Sequence, residues 1–182
     1  MVLDRQQLLM MARYHAWSTR RLLLAVEALD DEAYRRDVGL FFQSIHGTLN
    51  HLLVTEHEIW FPLIQDGQLP RNIALDAEVE LDRHALAAKL QASAECWLPL
   101  LERCEDDRLT SDLPFSDRKG NPLRVPFLGT VTHVFNHGTH HRGQITAAMT
   151  ILGHKCPELD LFYMLLERAA TDRSERDQVR AD

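Results

Sequence analysis

Four of the ten histidines of this chain fall in the stretch Gly129 to Leu152, GTVTHVFNHGTHHRGQITAAMTIL: His133, His137, His140 and His141. Neutral imidazole is the commonest metal ligand among side chains and the one that titrates near neutral pH. The stretch has no proline, and its apolar residues recur at helical spacing, which predicts a helix. On a helix, residues four apart are neighbours, about 5–6 Å apart at Cβ. His137 and His141 can therefore reach one ion together, as the two histidines of a zincin helix do. A single histidine is more often a hydrogen-bonded core or surface residue. A pair at this spacing beside an apolar stripe favours metal.

The helical wheel separates the four. Phe127, Val131, Val134, Ile145, Ala148, Met149 and Leu152 gather on one face. His141 falls between His137 and the centre of that stripe, and His133 and His140 fall on the other side, toward the polar edge. His137 and His141 are expected to point inward. Gln144 sits close to His137 on the wheel and can hydrogen-bond a ligand or a bound water.

These side chains need a scaffold, and the rest of the chain supplies helices. The pattern predicts a first helix over 4–29, with Leu8, Met11, Ala12, His15, Leu22, Val26 and Leu29 on its stripe and Tyr14, His15 and Trp17 in its middle. A second runs over 43–64, with Ile45, Leu49, Leu52, Leu53 and Trp60 on its main apolar face. His51 lies nearly opposite that face, in a strip with Ser44, Thr48 and Thr55. Such a strip either lines an internal polar pocket or faces water, and the wheel does not select His51. Glu56 and Glu58 are the carboxylates nearest His51 in sequence, and charged helix residues are usually solvated. A loop is expected from Leu69 to Leu81, a helix over 83–103 capped by Asp82 and bent by Pro99, and a β-hairpin over 110–126 around DRKGN. The histidine helix follows over 127–152, then a short helix from Pro157 to Ala169. The charged tail 171–182 is expected to be disordered, leaving one domain over 1–170.

Composition narrows the function classes. A chain of 182 residues with 45% hydrophobic and 26% charged residues can bury a sizeable core. Its net charge of −7 argues against binding nucleic acid. No apolar run reaches membrane-span length. The start, MVLDRQQLLMM, lacks the features of a signal peptide, and a cytoplasmic location is expected. Cys96, Cys104 and Cys156 form no C-x-x-C pair and no disulfide framework.

Two segments, SIHGTLNHLLVTEHEIW in the second helix and HVFNHGTHHRGQI in the fourth, resemble the DinB/YfiT-like superfamily, and the DinB family within it. The resemblance extends over about Asp4 to Arg168. It implies an all-α, up-down-down-up four-helix bundle, often a homodimer. It also implies one divalent metal ion, commonly zinc or nickel, on three histidines that correspond to His51, His137 and His141. The wheel argument selects the last two independently, whereas His51 rests on the resemblance. Three imidazoles leave a coordination position open, the pattern of a catalytic rather than a structural site. The family includes S-transferases that use low-molecular-weight thiols, and thiol-dependent isomerases.

Two function classes follow. One is a metal-dependent enzyme, a thiol-dependent transferase or a hydrolase, acting on a small-molecule substrate. His133, His140, Gln144 and Asn50 would then contact ligands or substrate, and Trp17 or Tyr14 would stand on the pocket wall. The other is a metal-binding stress-response or assembly protein without chemistry. A di-iron carboxylate bundle fails because no Glu-x-x-His pair is present. His57-Glu58 has Phe61 where a zincin needs histidine, and no G-x-S-x-G elbow occurs.

Overall fold

A computed structural model of the protein describes residues 2–69, 73–117 and 119–181. In chain order the elements are α1 (Val2–Glu27), α2 (Asp31–Arg35), α3 (Ile45–Leu53), a π-helical segment (Val54–Trp60), α4 (Phe61–Asp66), α5 (Arg83–Glu102), α6 (Asp106–Thr110), β1 (Asp112–Ser116), β2 (Pro122–Pro126), α7 (Phe127–Ile151) and α8 (Leu161–Ala181). α3, the π segment and α4 run on as one long rod, the expected second helix. The four long helices and the antiparallel hairpin, in which Asp112 pairs with Pro126, stand where the periodicity places them. Of the expected loop 69–81 and the DRKGN turn, residues 70–72 and 118 lie outside the described residues.

Local chemistry sets the ends. The side chains of Asp30, Ser44 and Asp82 accept from the amides of Ala33, Gly47 and Ala85, capping α2, α3 and α5. Gly67 and Gly153 stop α4 and α7 with positive φ of 70° and 79°, a conformation that glycine adopts without a Cβ penalty. Arg83 donates to the Leu29 and Val26 carbonyls just past and at the end of α1.

The apolar core is divided. One cluster joins Leu22, Val26, Leu49, Leu53, Leu86, Leu90, Ile145 and Met149. A second joins Leu8, Ala12, Leu63, Ile64, Trp97, Leu101, Val131 and Phe135. Between them each rod contributes buried polar groups: His15 and Ser18 from α1, Thr55 and Glu56 from the π segment, Ser93 from α5, His141 and Arg142 from α7. The order in which each rod visits the clusters gives its direction. α1 and α7 run from the second cluster to the first; the second rod and α5 run from the first to the second. That is the up-down-down-up arrangement. Because the second rod and α5 are parallel, α5 starts at the end of the bundle where α3 starts.

Three features depart from the sequence expectation. α6, ahead of the hairpin, is a single helical turn too short to leave a periodic signal. The second rod changes period at Val54, where the amide of Phe61 reaches back five residues to the Glu56 carbonyl. The last helix begins at Leu161 rather than Pro157 and runs to Ala181, so the charged tail is helical through that residue instead of disordered. Asp182 lies outside the described residues. No helix among the described residues is long and apolar enough to cross a membrane.

Candidate metal centre

The second rod and α7 pack against each other and bring three imidazoles to one point. His51 Nε2 lies 3.2 Å from His137 Nε2, and His141 Nε2 lies 3.1 Å from the same atom. His51 and His141 are 5% and 6% exposed, and His137 is half-buried. The strip of Ser44, Thr48, His51 and Thr55 is buried throughout, so it is internal rather than solvated.

The outer nitrogens fix what the inner ones can do. His51 Nδ1 donates to the Leu75 carbonyl at 2.7 Å. A carbonyl only accepts, so this ring carries its proton outward and turns a lone pair inward. His141 Nδ1 makes the matching bond to Gln144 Oε1 at 2.7 Å. Zinc–nitrogen bonds of about 2.0–2.1 Å in a tetrahedron put ligand nitrogens about 3.3 Å apart. The spacing, the tautomers and the donor set all fit a divalent ion held by three neutral imidazoles. Among the described residues, the donor atoms of His51, His137 and His141 form a group able to hold a metal.

The rings are held neutral. Burial, then mutual repulsion with His141 and His51, lowers the His137 pKa to about 4. Burial likewise lowers His141 to about 4, against the opposing hydrogen bond to Gln144. His51 is lowered too, chiefly by burial. A ligand set that is deprotonated at neutral pH has no proton to displace when it binds an ion.

The surroundings include parts that the sequence did not reveal. Phe42 lies on His51, with ring centroids 3.8 Å apart and planes 18° from parallel. Its loop is held by an unusual backbone. Gln43 has a φ of 65°, and the Phe42 carbonyl comes so near α3 that a Cβ on Gly47 would stand 2.2 Å from its oxygen. The returning loop is pinned by Asn50, whose amide oxygen accepts from the Glu80 amide at 2.9 Å and whose nitrogen donates to the Glu80 carbonyl at 3.0 Å. Asn50 thus holds the strand of chain that presents Leu75 to His51. It also contacts His46 Nε2 at 3.2 Å and does not reach into the site.

His133 and His140 are exposed, as the wheel places them. The His133 ring centroid is 5.7 Å from that of His137 and edge-on to Trp60; the His140 centroid is 4.9 Å from that of His141. Gln144 partners His141 rather than His137. Tyr14 and Trp17 do not wall this site. They pack with Met164, and Tyr14 donates to the Leu159 carbonyl while Trp17 donates to Glu167. They anchor α8, a helix that crosses α1 at these two aromatics.

Glu56 is the largest surprise. It is 2% exposed, with Oε2 3.1 Å from His15 Nε2. Arg142, also 2% exposed, places Nη1 3.1 Å from His15 Nδ1. Burial alone would raise the Glu56 pKa, but His15 and then Arg142 outweigh it and hold the carboxyl below its ordinary value. The sequence offers half of the signal: a histidine in the apolar stripe of α1 and an arginine beside His141.

Comparison with known proteins bears on the family and the fold. The sequence profile described as the DinB family matches residues 5–176. "Protein DinB" of Bacillus subtilis (strain 168) is 26% identical over 165 residues, covering 86% of this chain and 94% of the relative. The crystal structure of a DinB-like protein from Bacillus cereus ATCC 10987 superposes with a TM-score of 0.55 at 21% identity, covering 78% of this chain and 89% of that one, and supports the fold.

Proposed function

The chain belongs to the DinB family, and on that premise we propose that it binds one divalent metal ion, zinc or nickel, through His51, His137 and His141, and uses it as a metal-dependent enzyme. The observation that carries the reading is the convergence of three Nε2 atoms whose outer nitrogens, in His51 and His141, are already committed to acceptors. An ion on three imidazoles retains an open position, where it would lower the pKa of a water or a thiol. The protein's own contribution is orientation: Leu75 and Gln144 fix two rings, and Phe42 shields one face. His137 is half-buried and His133 and His140 on the same helix are exposed, which supports access by a small molecule.

The reaction class that fits is S-transfer from a low-molecular-weight thiol, or hydrolysis. Elemental analysis of the purified protein tests the metal, with one equivalent expected. A thiol-transfer and hydrolase screen of the loaded protein tests the chemistry. A protein that takes up zinc and nickel at no more than trace stoichiometry overturns the proposal.

A homodimer and a cytoplasmic location belong to the same reading. α8 leaves Phe162, Tyr163, Leu165 and Leu166 between 39% and 65% exposed, an apolar surface that a second copy would cover. Cys96, Cys104 and Cys156 are free thiols, which suits a reducing compartment. Light scattering at micromolar concentration should return twice the chain mass.

A further inference from the structure

His51 and His141 each have an acceptor for the outer nitrogen, but His137 has none. Its Nδ1 is buried with no protein partner. If His137 binds an ion through Nε2, its proton must sit on Nδ1, and a buried N–H left unpaired is destabilising. Glu56 is in the complementary condition. Oε2 lies 3.1 Å from His15 Nε2, while Oε1 is buried with no hydrogen-bond partner, the only carboxylate oxygen so placed among the described residues.

Glu56 is an electrostatic neighbour of His137, and its free oxygen lies against the next residue of α7. Gly138, the residue after His137, lies so close that a Cβ built on it would stand 2.7 Å from Glu56 Oε1, 2.9 Å from Arg142 Nη1 and 3.0 Å from His15 Cε1. The orphan oxygen therefore rests against the turn of α7 that carries His137. The carboxylate itself cannot swing away, because His15 and Arg142 are buried around it and Arg142 is in turn bonded to Thr139 at 3.1 Å.

We propose that Glu56 is the positioning carboxylate of the metal centre: Oε1 accepts the Nδ1–H of His137, directly or through one buried water, and thereby aims His137 Nε2 at the ion. His15 and Arg142 hold Glu56 in place. A carboxylate behind a ligating imidazole also raises that ligand's basicity, which neither the Leu75 carbonyl nor the Gln144 amide does to the same degree. The ion would then meet two imidazoles with neutral backing and one with anionic backing. This inference rests on the metal reading above.

The test compares wild type with Glu56→Gln, Gly138→Ala and Ser93→Ala. Zinc affinity is read by competition with a chromophoric chelator, the ligand field by the visible spectrum of the Co(II) form, and folding by apo-protein melting. Glu56→Gln should lower zinc affinity by about 10–100-fold and shift the Co(II) bands. Gly138→Ala, which displaces Oε1 without removing a side chain, should act in the same direction. Ser93→Ala, a buried hydroxyl of the same polar layer on α5, should leave both metal readouts unchanged. Wild-type zinc affinity and an unchanged Co(II) spectrum in Glu56→Gln, whatever its melting temperature, overturn the proposal and leave Glu56 a packing charge. If Glu56→Gln does not fold, long-range 1H–15N spectra of zinc-loaded wild type decide. A His137 Nδ1–H that is protected from exchange and shifted downfield supports the assignment, and one exchanging freely with water overturns it. A wild type that takes up no zinc overturns the metal reading itself.

Discussion

Phe42 lies nearly flat on His51, its ring 3.8 Å from the imidazole by centroid, while the other edge of the same imidazole is tied to the Leu75 carbonyl. His51 is therefore clamped from a face and from an edge before any ion arrives. A clamped ligand loses less freedom on binding. Phe42→Ala removes the face contact, worth about 0.5–1.5 kcal/mol beyond area burial for an aromatic pair. It should weaken zinc binding by up to about tenfold and leave the fold intact, since Phe42 is only half-buried. Gly47→Ala should do more, because the new Cβ would stand 2.2 Å from the Phe42 oxygen and the whole loop must shift. Chelator competition on both variants measures the effect; equal affinities in wild type and Phe42→Ala would refute the clamp.

The four histidines of α7 divide by where their rings point. His51→Ala, His137→Ala and His141→Ala should each abolish stoichiometric metal, because each removes one of three converging nitrogens. His133→Ala and His140→Ala should keep nearly full occupancy, since both rings are exposed and neither offers a nitrogen to that point. Metal content of the five purified variants checks this. A site emptied by His133→Ala but not by His141→Ala would sink the assignment.

What is legible in the sequence and what is hidden divide along a physical line. His137 and His141 are legible because a helix repeats at 3.6 residues, and the stripe of Val131, Val134, Ile145 and Ala148 says which way it faces. The same periodicity places the long helices and the direction of His133 and His140. His51 is not legible from the wheel, because a polar strip on a bundle helix looks the same whether it meets water or another polar strip. Only the resemblance selects it. Glu56 reads as solvated, because the rod changes to π spacing at Val54 and because its partners, His15 and Arg142, come from helices far away in sequence. Phe42 and Leu75 act through a loop stacking and a backbone carbonyl, and neither leaves a periodic trace.

Asn50 makes a prediction about the loop rather than the ligands. Its side chain both donates to and accepts from the backbone of Glu80, closing the returning chain onto α3. Asn50→Ala removes both bonds and leaves a part-buried amide and carbonyl to find other partners, a loss of about 1 kcal/mol. The loop that carries Leu75 should then open more often. Hydrogen exchange across 73–81 should speed up by tenfold or more, and zinc affinity should fall by a smaller factor, since His51 keeps Phe42. Unchanged exchange in that loop would show that other contacts hold it.

The three imidazoles also set a pH dependence whose sign is fixed. In the folded, metal-free protein His137 and His141 titrate at about 4 and His51 is lowered, whereas unfolded histidine titrates near 6.5. Between about pH 6.5 and 4 the unfolded chain binds more protons than the folded one, so stability must fall as pH falls through that window. A tenfold difference in proton affinity between the two states is worth about 1.4 kcal/mol, and the cluster as a whole withdraws on the order of a few kcal/mol. Glu56 adds a second loss below the ordinary carboxylate value, because its folded pKa is depressed by His15 and Arg142 against the effect of burial. Metal binding should behave differently. Protons compete with zinc only where the folded imidazoles titrate, so affinity should be nearly flat from about pH 7.5 to 6.5 and fall steeply only below about pH 5. Melting curves of the apo protein from about pH 7.5 to 4.5, with zinc titrations over the same range, test both halves. An apo melting temperature that stays level between about pH 6.5 and 5 would mean the rings are not held neutral by burial. A zinc affinity that already drops by about sixfold between pH 7.5 and 6.5 would mean that ordinary, solvated histidines bind the ion.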